Sequence, residues 1–507
     1  MNLLKIEKQD AAKGALYQYV STAVTFLSGI LFYVFLAKAF PTTVVGEMSL
    51  ILAIATIMNI LFTLGLQNGA QHFLSYFMAR NEHGKAYWLV LQLIIYGLLL
   101  ALGGSFLTYA LSYYIAELFF HSSALGYIVH YLAFELFFMI SFNIFNGILL
   151  GLQSFRLSAI VSIFGQSLSY VFSFVLIFLF RQVQFAILGL AIGYGISVFV
   201  SLAVILQTLS SNRQKRYVAY VKPVFSYSMP ILFSSIIGYG STYIDRFVVA
   251  YFLTTSQLGI YSFVLLISGS LGILVGPISN VLLPKLSEIY STGTREDLKK
   301  AVATASSILA YIYTPAALGV AALSREILLL FAGIQYLPGT IPLSVLMFIS
   351  AVFITQNVLS PSLFSVRATR IFLVVATMTL ISNIALSFLL IPGFGLLGAA
   401  ISNSSVTIVG FAIQYYFARV LNINSFDLVR IAKIWASSGI MFLVVMLMQM
   451  YTGFSLLLLP VYIVVGFVIY ITFSRTLKIF DREVREILNS AFTNRLGFLG
   501  KITKLII

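Results

Sequence analysis

Apolar stretches separated by short polar breaks recur along this chain from residue 15 to residue 473. A helix that crosses a bilayer needs about 20 mostly apolar residues. The pattern predicts fourteen such spans, near 15–37, 48–70, 87–110, 124–150, 158–180, 184–208, 224–250, 258–283, 300–322, 340–360, 370–391, 396–418, 432–452 and 455–473. The expected fold class is therefore an all-α polytopic membrane protein. The fourth and seventh spans are long enough to tilt.

Composition agrees with this reading. Hydrophobic residues make up 60% of the 507 and charged residues 9%, against about 25% charged in a soluble domain. So few charges cannot cover a surface that faces water. The net charge of +15 would suit nucleic acid only if a soluble basic domain carried it, and none is present. Sorting the basic residues by loop explains the charge instead. With the N-terminus in the cytoplasm, 26 of the 30 Lys and Arg fall in cytoplasmic loops and termini. Lys38, Arg181, Arg246 and Arg325 alone lie toward the outer face. Both termini are expected to be cytoplasmic, and the start of the chain reads as charged and amphipathic rather than as a signal peptide. The cysteine count is zero, which removes disulfides and thiolate chemistry.

The chain also repeats itself at an offset of about 213. The segment from Phe40 through Gly46 to Ser49 echoes that from Phe252 through Gly259 to Ser262, with one residue inserted. Gly147–Arg156 aligns with Pro361–Arg370, and Leu188–Gly189 with Leu397–Gly398. Six spans separate the copies, an even number, so the copies share one orientation. Two parallel six-helix lobes around a central cavity are expected. The corresponding divisions are 1–222 for the first lobe, 223–419 for the second, 420–473 for two peripheral helices, and 474–507 for a basic amphipathic tail.

Several chemistries are missing from the sequence. There is no P-loop, and His72, His83, His121 and His130 lack metal-ligand spacing. No cofactor, metal or catalytic residue is expected, and the chain reads as a non-enzyme. The informative groups are polar residues at membrane depth, which are costly and face a cavity or a partner. Glu135 sits within the fourth span, and Asp245 with Arg246 in the outer part of the seventh. Gln67, Asn68, Gln71 and His72 form a polar stripe at the inner end of the second. Asn143, Asn146, Gln356, Asn357 and Asn383 are further polar positions. The competing reading for each amide is an interhelical hydrogen bond. For Asp245 and Arg246 it is a mutual or neighbouring ion pair. Glycines four apart at 65–69, 147–151, 189–193 and 272–276 read as internal packing contacts, with a dimer face as the alternative.

Five stretches carry a family resemblance. They are Leu36–Leu50, Tyr243–Ser262 with its Tyr-Ile-Asp-Arg-Phe motif, Leu282–Glu288, Ser324–Leu328 and Ile391–Ala400. Together they resemble the polysaccharide and lipid-linked oligosaccharide flippases of the multidrug/oligosaccharidyl-lipid/polysaccharide exporter superfamily. Where that family's first-loop signature carries arginine, this chain has Lys38, which keeps the charge but loses bidentate recognition of phosphate. The resemblance implies twelve to fourteen helices in two lobes, and a polyprenyl-(pyro)phosphate-linked glycan as substrate, moved across the cytoplasmic membrane by alternating access. On that reading Arg246 contacts the anion, and Asn143, Asn146, Gln356 and Asn357 contact sugar. Glu135 and Asp245 couple to a cation, Na+ or H+, and the protein works as a monomer. The rival readings are a drug or organic-cation antiporter of the same superfamily and a non-transporting membrane scaffold.

Overall fold

The computed structural model describes residues 11–120, 126–210, 221–423, 426–453 and 455–479. Nearly all of them are helical, and among them twelve helices are long and apolar enough to cross a membrane. One of the twelve, Arg370–Val420, contains two helices that meet at Gly395, whose φ of 55° and ψ of −130° break the helical geometry. A 32-residue helix, Val221–Phe252, has the length of a span but carries Asp245 and Arg246 and is not among the twelve. Counting these, the fourteen expected spans each have a helical counterpart. The basic tail expected beyond 473 lies, from residue 480 onward, outside the described residues.

The chain forms two compact units, Met1–Ser262 and Phe263–Ile507. The first contains α1 (Ala11–Ala39), α2 (Thr42–Thr63), α3 (Leu66–Ala79), α4 (His83–Ala110), α5 (Ser112–Phe120) and α6 (Gly126–Gly151). It continues with α7 (Phe155–Phe180), α8 (Val183–Ser210), α9 (Val221–Phe252) and the start of α10 (Thr255–Ser270). α6 packs against α3, α4 and α8 and carries the most buried positions of any helix in this unit. Small residues set the closest approaches. A Cβ on Gly189 or Gly193 would strike the backbone of Ser173 or Ser169, so α7 and α8 pack backbone to backbone. Gly147 and Gly151 meet α3 in the same way, at Gln67 and Ala70, and Gly65 and Gly69 meet α9 at Ser228 and Val224. Three of the four expected glycine pairs are thus internal contacts. Gly272 and Gly276 have open space beside them among the described residues.

The second unit contains α11 (Gly272–Thr292), α12 (Arg295–Ala322), α13 (Ser324–Phe331), α14 (Thr340–Val352), α15 (Gln356–Ser365), α16 (Arg370–Val420), α17 (Leu428–Thr452) and α18 (Leu459–Thr476). α12 is its axis, packed by α11, α14 and α17. It opens with a capping box. Thr294 accepts from the Asp297 backbone N–H, and the Asp297 carboxylate accepts from the Thr294 N–H.

Three expected spans are interrupted. The second, expected as 48–70, begins at Thr42 and stops at Leu64 and Gly65, both left-handed (φ 48° and 68°). Gly65 takes that conformation without steric cost, and the Ser228 carbonyl oxygen occupies the place of its missing Cβ. The polar stripe of Gln67, Asn68, Gln71 and His72 therefore belongs to a separate helix, α3. The eighth span divides at Leu271 into α10 and α11, and the tenth at 353–355 into α14 and α15. Hydropathy periodicity cannot see such breaks, because both halves remain apolar.

Element boundaries follow the repeat offset closely. α4 begins at 83 and ends at 110; α12 begins at 295 and ends at 322. α6 covers 126–151, while α14 and α15 together cover 340–365.

Candidate functional site

The site begins with a helix crossing. α2 and α10 touch through residues that the repeat relates. Thr42 and Ser256 hydroxyls lie 2.7 Å apart, and the Ser262 hydroxyl donates to Ser49 at 2.5 Å. A Cβ at Gly46 would collide with the Thr255 carbonyl oxygen, and a Cβ at Gly259 with that of Thr42. At Gly46 and Gly259 the two helices thus meet backbone to backbone, and this pair of contacts is reciprocal. Only glycine at both positions permits this approach.

One turn away, α10 ties itself to α9. Tyr261, fully buried, donates its hydroxyl to Asp245 Oδ2 at 2.5 Å. Asp245 Oδ1 accepts from the Arg246 backbone N–H at 2.9 Å. The Asp245 side chain is itself fully buried and shares a face of α9 with Ser241, Val248 and Val249. Its carboxylate is therefore committed to joining two helices.

Arg246 points elsewhere, since neighbouring residues on a helix diverge by about 100°. Its guanidinium lies 4.7 Å from the centre of the Tyr243 ring, a cation–π contact. Among the described residues it forms no salt bridge, and its Nε has no hydrogen-bond partner. The alternative of a mutual ion pair between Asp245 and Arg246 is not found among the described residues.

Four tyrosines from different helices, each keeping part of its surface accessible, extend from Arg246 toward Glu135. Tyr33 of α1 lies within electrostatic range of Arg246, Tyr243 and Tyr170. Tyr170 of α7 lies within range of Tyr243 and of Glu135, and Tyr194 of α8 within range of Tyr170 and Glu135. Tyr170 also stacks on Phe32, with ring centres 5.1 Å apart. The cation on α9 and the carboxyl on α6 thus belong to one aromatic-walled interior. Glu135 is 1% exposed, and its Oε2 has no hydrogen-bond partner. Sequence reasoning singled out Arg246 and Glu135 but missed the tyrosines between them.

The amides have other partners. Asn143 Nδ2 donates to Asn59 Oδ1 at 3.1 Å and to the Met139 carbonyl at 3.0 Å. Asn146 Oδ1 accepts from Ser158 at 2.6 Å, and Ser158 in turn accepts from Gln18 at 3.2 Å. Both amides link α6 to neighbouring helices. Gln356 and Asn357 open α15 in the second unit. Gln356 packs over Gly410, and Asn357 bonds locally to the Ile354 carbonyl at 3.3 Å. Among the described residues no cluster of three His, Asp or Glu forms a metal site.

Membrane-length helices enclosing a recessed cation and a buried carboxyl are the architecture of a multi-pass membrane protein. The chain belongs to the polysaccharide biosynthesis protein family, whose sequence pattern matches residues 11–290. It is 27% identical over 205 residues to the capsular polysaccharide biosynthesis protein CapF of Staphylococcus aureus, covering 39% of this chain and 50% of that one. It is 24% identical over 208 residues to Agl15 of Haloferax volcanii, named a probable low-salt glycan biosynthesis flippase, covering 40% of this chain and 43% of that one. The matches thus span half or less of these curated relatives. The lipid II flippase MurJ, solved in an inward closed conformation, shares the fold. The TM-score is 0.73 at 19% identity, over 92% of this chain and 99% of that one.

Proposed function

We propose that this chain moves a glycan linked to a polyprenyl phosphate or pyrophosphate across the cell membrane by alternating access, with both termini in the cytoplasm and no covalent chemistry. The physical problem suits the interior described above. A polyprenyl tail can remain in lipid, but its anionic head cannot cross hydrocarbon unaided. The observation that carries the reading is Arg246, a recessed cation that no carboxylate claims among the described residues. A phosphate oxygen would accept charge-assisted hydrogen bonds from it, and the surrounding tyrosines offer rings and hydroxyls to sugar. The names of the relatives, CapF and Agl15, support the same cargo class.

Glu135 is the group we assign to cation coupling, with Na+ or H+ as the ion. It is buried, carries an oxygen without a partner, and shares the aromatic interior with Arg246. Asp245 serves in this scheme by fixing α9 to α10. Asn143 and Asn146 hold α6 in place while their remaining polar surface meets the glycan, and Gln356 and Asn357 contribute from the second unit. The protein acts as a monomer.

The test uses purified full-length protein in liposomes that contain a fluorescent polyprenyl-pyrophosphate oligosaccharide. Movement is read as protection of the label from a membrane-impermeant quencher. Protein-dependent movement that Arg246→Ala removes is the expected result. Equal movement with and without protein would sink the proposal.

A further inference from the structure

A second buried carboxyl lies in the other unit, at the end of α12 opposite its basic start. Glu326 is fully buried on α13, a helix outside the candidate spans. Its Oε2 accepts from Gln449 Nε2 of α17 at 3.0 Å, and Gln449 is also fully buried. The same amide nitrogen donates to the Ala322 carbonyl at 3.1 Å, which fixes the orientation of the amide, since its oxygen cannot donate. Each side chain is then left with one oxygen that has no partner, Glu326 Oε1 and Gln449 Oε1. Two buried acceptors on one hydrogen-bonded pair leave the same vacancy twice. What they lack is a single donor between them.

We propose that Glu326 and Gln449 form a proton-binding site, in which the protonated Glu326 Oε1 donates to Gln449 Oε1 while Gln449 Nε2 donates to Glu326 Oε2. This is the closed ring of a carboxylic acid and an amide, and one proton completes it. On release the proton passes to solvent. Two buried acceptor oxygens are then left without a donor, one of them on a buried carboxylate, which is costly. The proton therefore pins the end of α17 to α13.

The surroundings favour the neutral acid. Ala322, Leu323, Val445, Leu459 and Tyr462 form an apolar cluster at this end of α12 and α17, with Ile327 packed on it. Burial pushes the Glu326 carboxyl up from its ordinary range, while a hydrogen bond from its own backbone N–H and the charge of Arg325 beside it act in the opposite direction. Of the other elements packed on α13, the turn at 334–339 brings Tyr336, while α14, the turn at 456–458 and the last turns of α12 bring no titratable group. α17 brings Tyr451, which is 93% exposed, and α18 brings Tyr462, which is bonded to Thr452. Arg325 is the one charged neighbour in these elements.

The decisive variant is Glu326→Gln, because an amide pair closes the same ring without a titrating proton. It is expected to fold as the wild type does. Infrared difference spectra of full-length protein in lipid nanodiscs, wild type minus Glu326→Gln, should show a carboxylic-acid C=O band at neutral pH that is lost at alkaline pH. Gln449→Leu should shift that band. The stability sign follows from a raised folded-state pKa. The Glu326 contribution is largest at acid pH and falls as pH rises through the raised value. Wild-type melting should lose that share on alkalinisation, and Glu326→Gln should not. No acid band at neutral pH would overturn the proposal. So would sodium-dependent stabilisation at fixed pH that Glu326→Gln removes, since a metal ion would then occupy the place of the proton. Neither readout depends on the cargo.

Discussion

α1 and α9 correspond in the repeat, with Phe40 against Phe252, and they differ most where the chemistry lies. α1 carries Tyr33 and Val34 where α9 carries Asp245 and Arg246. α1 qualifies as a membrane span on length and hydropathy, whereas α9 does not. The α2–α10 crossing behaves in the opposite way. There Thr42 meets Ser256, Gly46 meets Gly259, and Ser49 meets Ser262, like against like. Duplication thus conserved the residues that determine backbone approach and left the interior side chains free to diverge. A small residue at a helix crossing has a geometric job, and both copies share that geometry. A charged side chain serves a ligand or a partner, and one such charge suffices.

This contrast makes predictions of decreasing size. The largest concerns the asymmetric pair. Arg246→Ala should abolish glycan transport at normal expression, and Arg246→Lys should restore part of it, keeping charge but not the planar fork. Tyr33→Phe, on the corresponding helix, should leave most of the transport intact. Comparable losses from the two would show that α1 and α9 share the site equally. Next, Gly46→Val and Gly259→Val should each destabilise the protein by about 1–3 kcal/mol or more through overpacking, to a similar degree. Thermal melting of the purified variants measures this, and a clear inequality would break the symmetry of the crossing. Asp245→Ala should be milder, removing a hydrogen bond to a charged group worth about 1.5–3 kcal/mol, while Asp245→Asn retains an acceptor for Tyr261 and should cost less. The smallest effect is expected at Lys300→Cys. This single thiol in a cysteine-free chain should leave transport unchanged and react only from the cytoplasmic side in cells. Labelling from outside would invert the topology assigned to both copies.

Much of the fold was legible because a membrane imposes its own pattern. Each span must be apolar over about 20 residues and must satisfy its backbone internally, so hydropathy located the helices to within a few residues. The interruptions at Leu64, Leu271 and 353–355 escaped it, since a break inside an apolar stretch changes no residue class. The site was legible in half. Costly charges stand out in an apolar chain, so Glu135, Asp245 and Arg246 were visible. Tyr33, Tyr170, Tyr194 and Tyr243 were not, because tyrosine among 45 phenylalanines and 29 tyrosines carries no signal of its own. Glu326 was visible as a charge, but nothing in the sequence pairs it with Gln449, 123 positions away.

The sequence alone determined the class of protein and where its apolar spans lie, because solvent partition acts on residue types in order along the chain. Only the tertiary structure decided which polar groups meet. It committed the Asp245 carboxylate to Tyr261 and, among the described residues, left Arg246 without a carboxylate. It also turned Asn143 and Asn146 into links between helices, and set Gln449 against Glu326. Hydrogen bonds act over about 3 Å, and no periodicity in one dimension specifies which side chains from distant helices come within that distance.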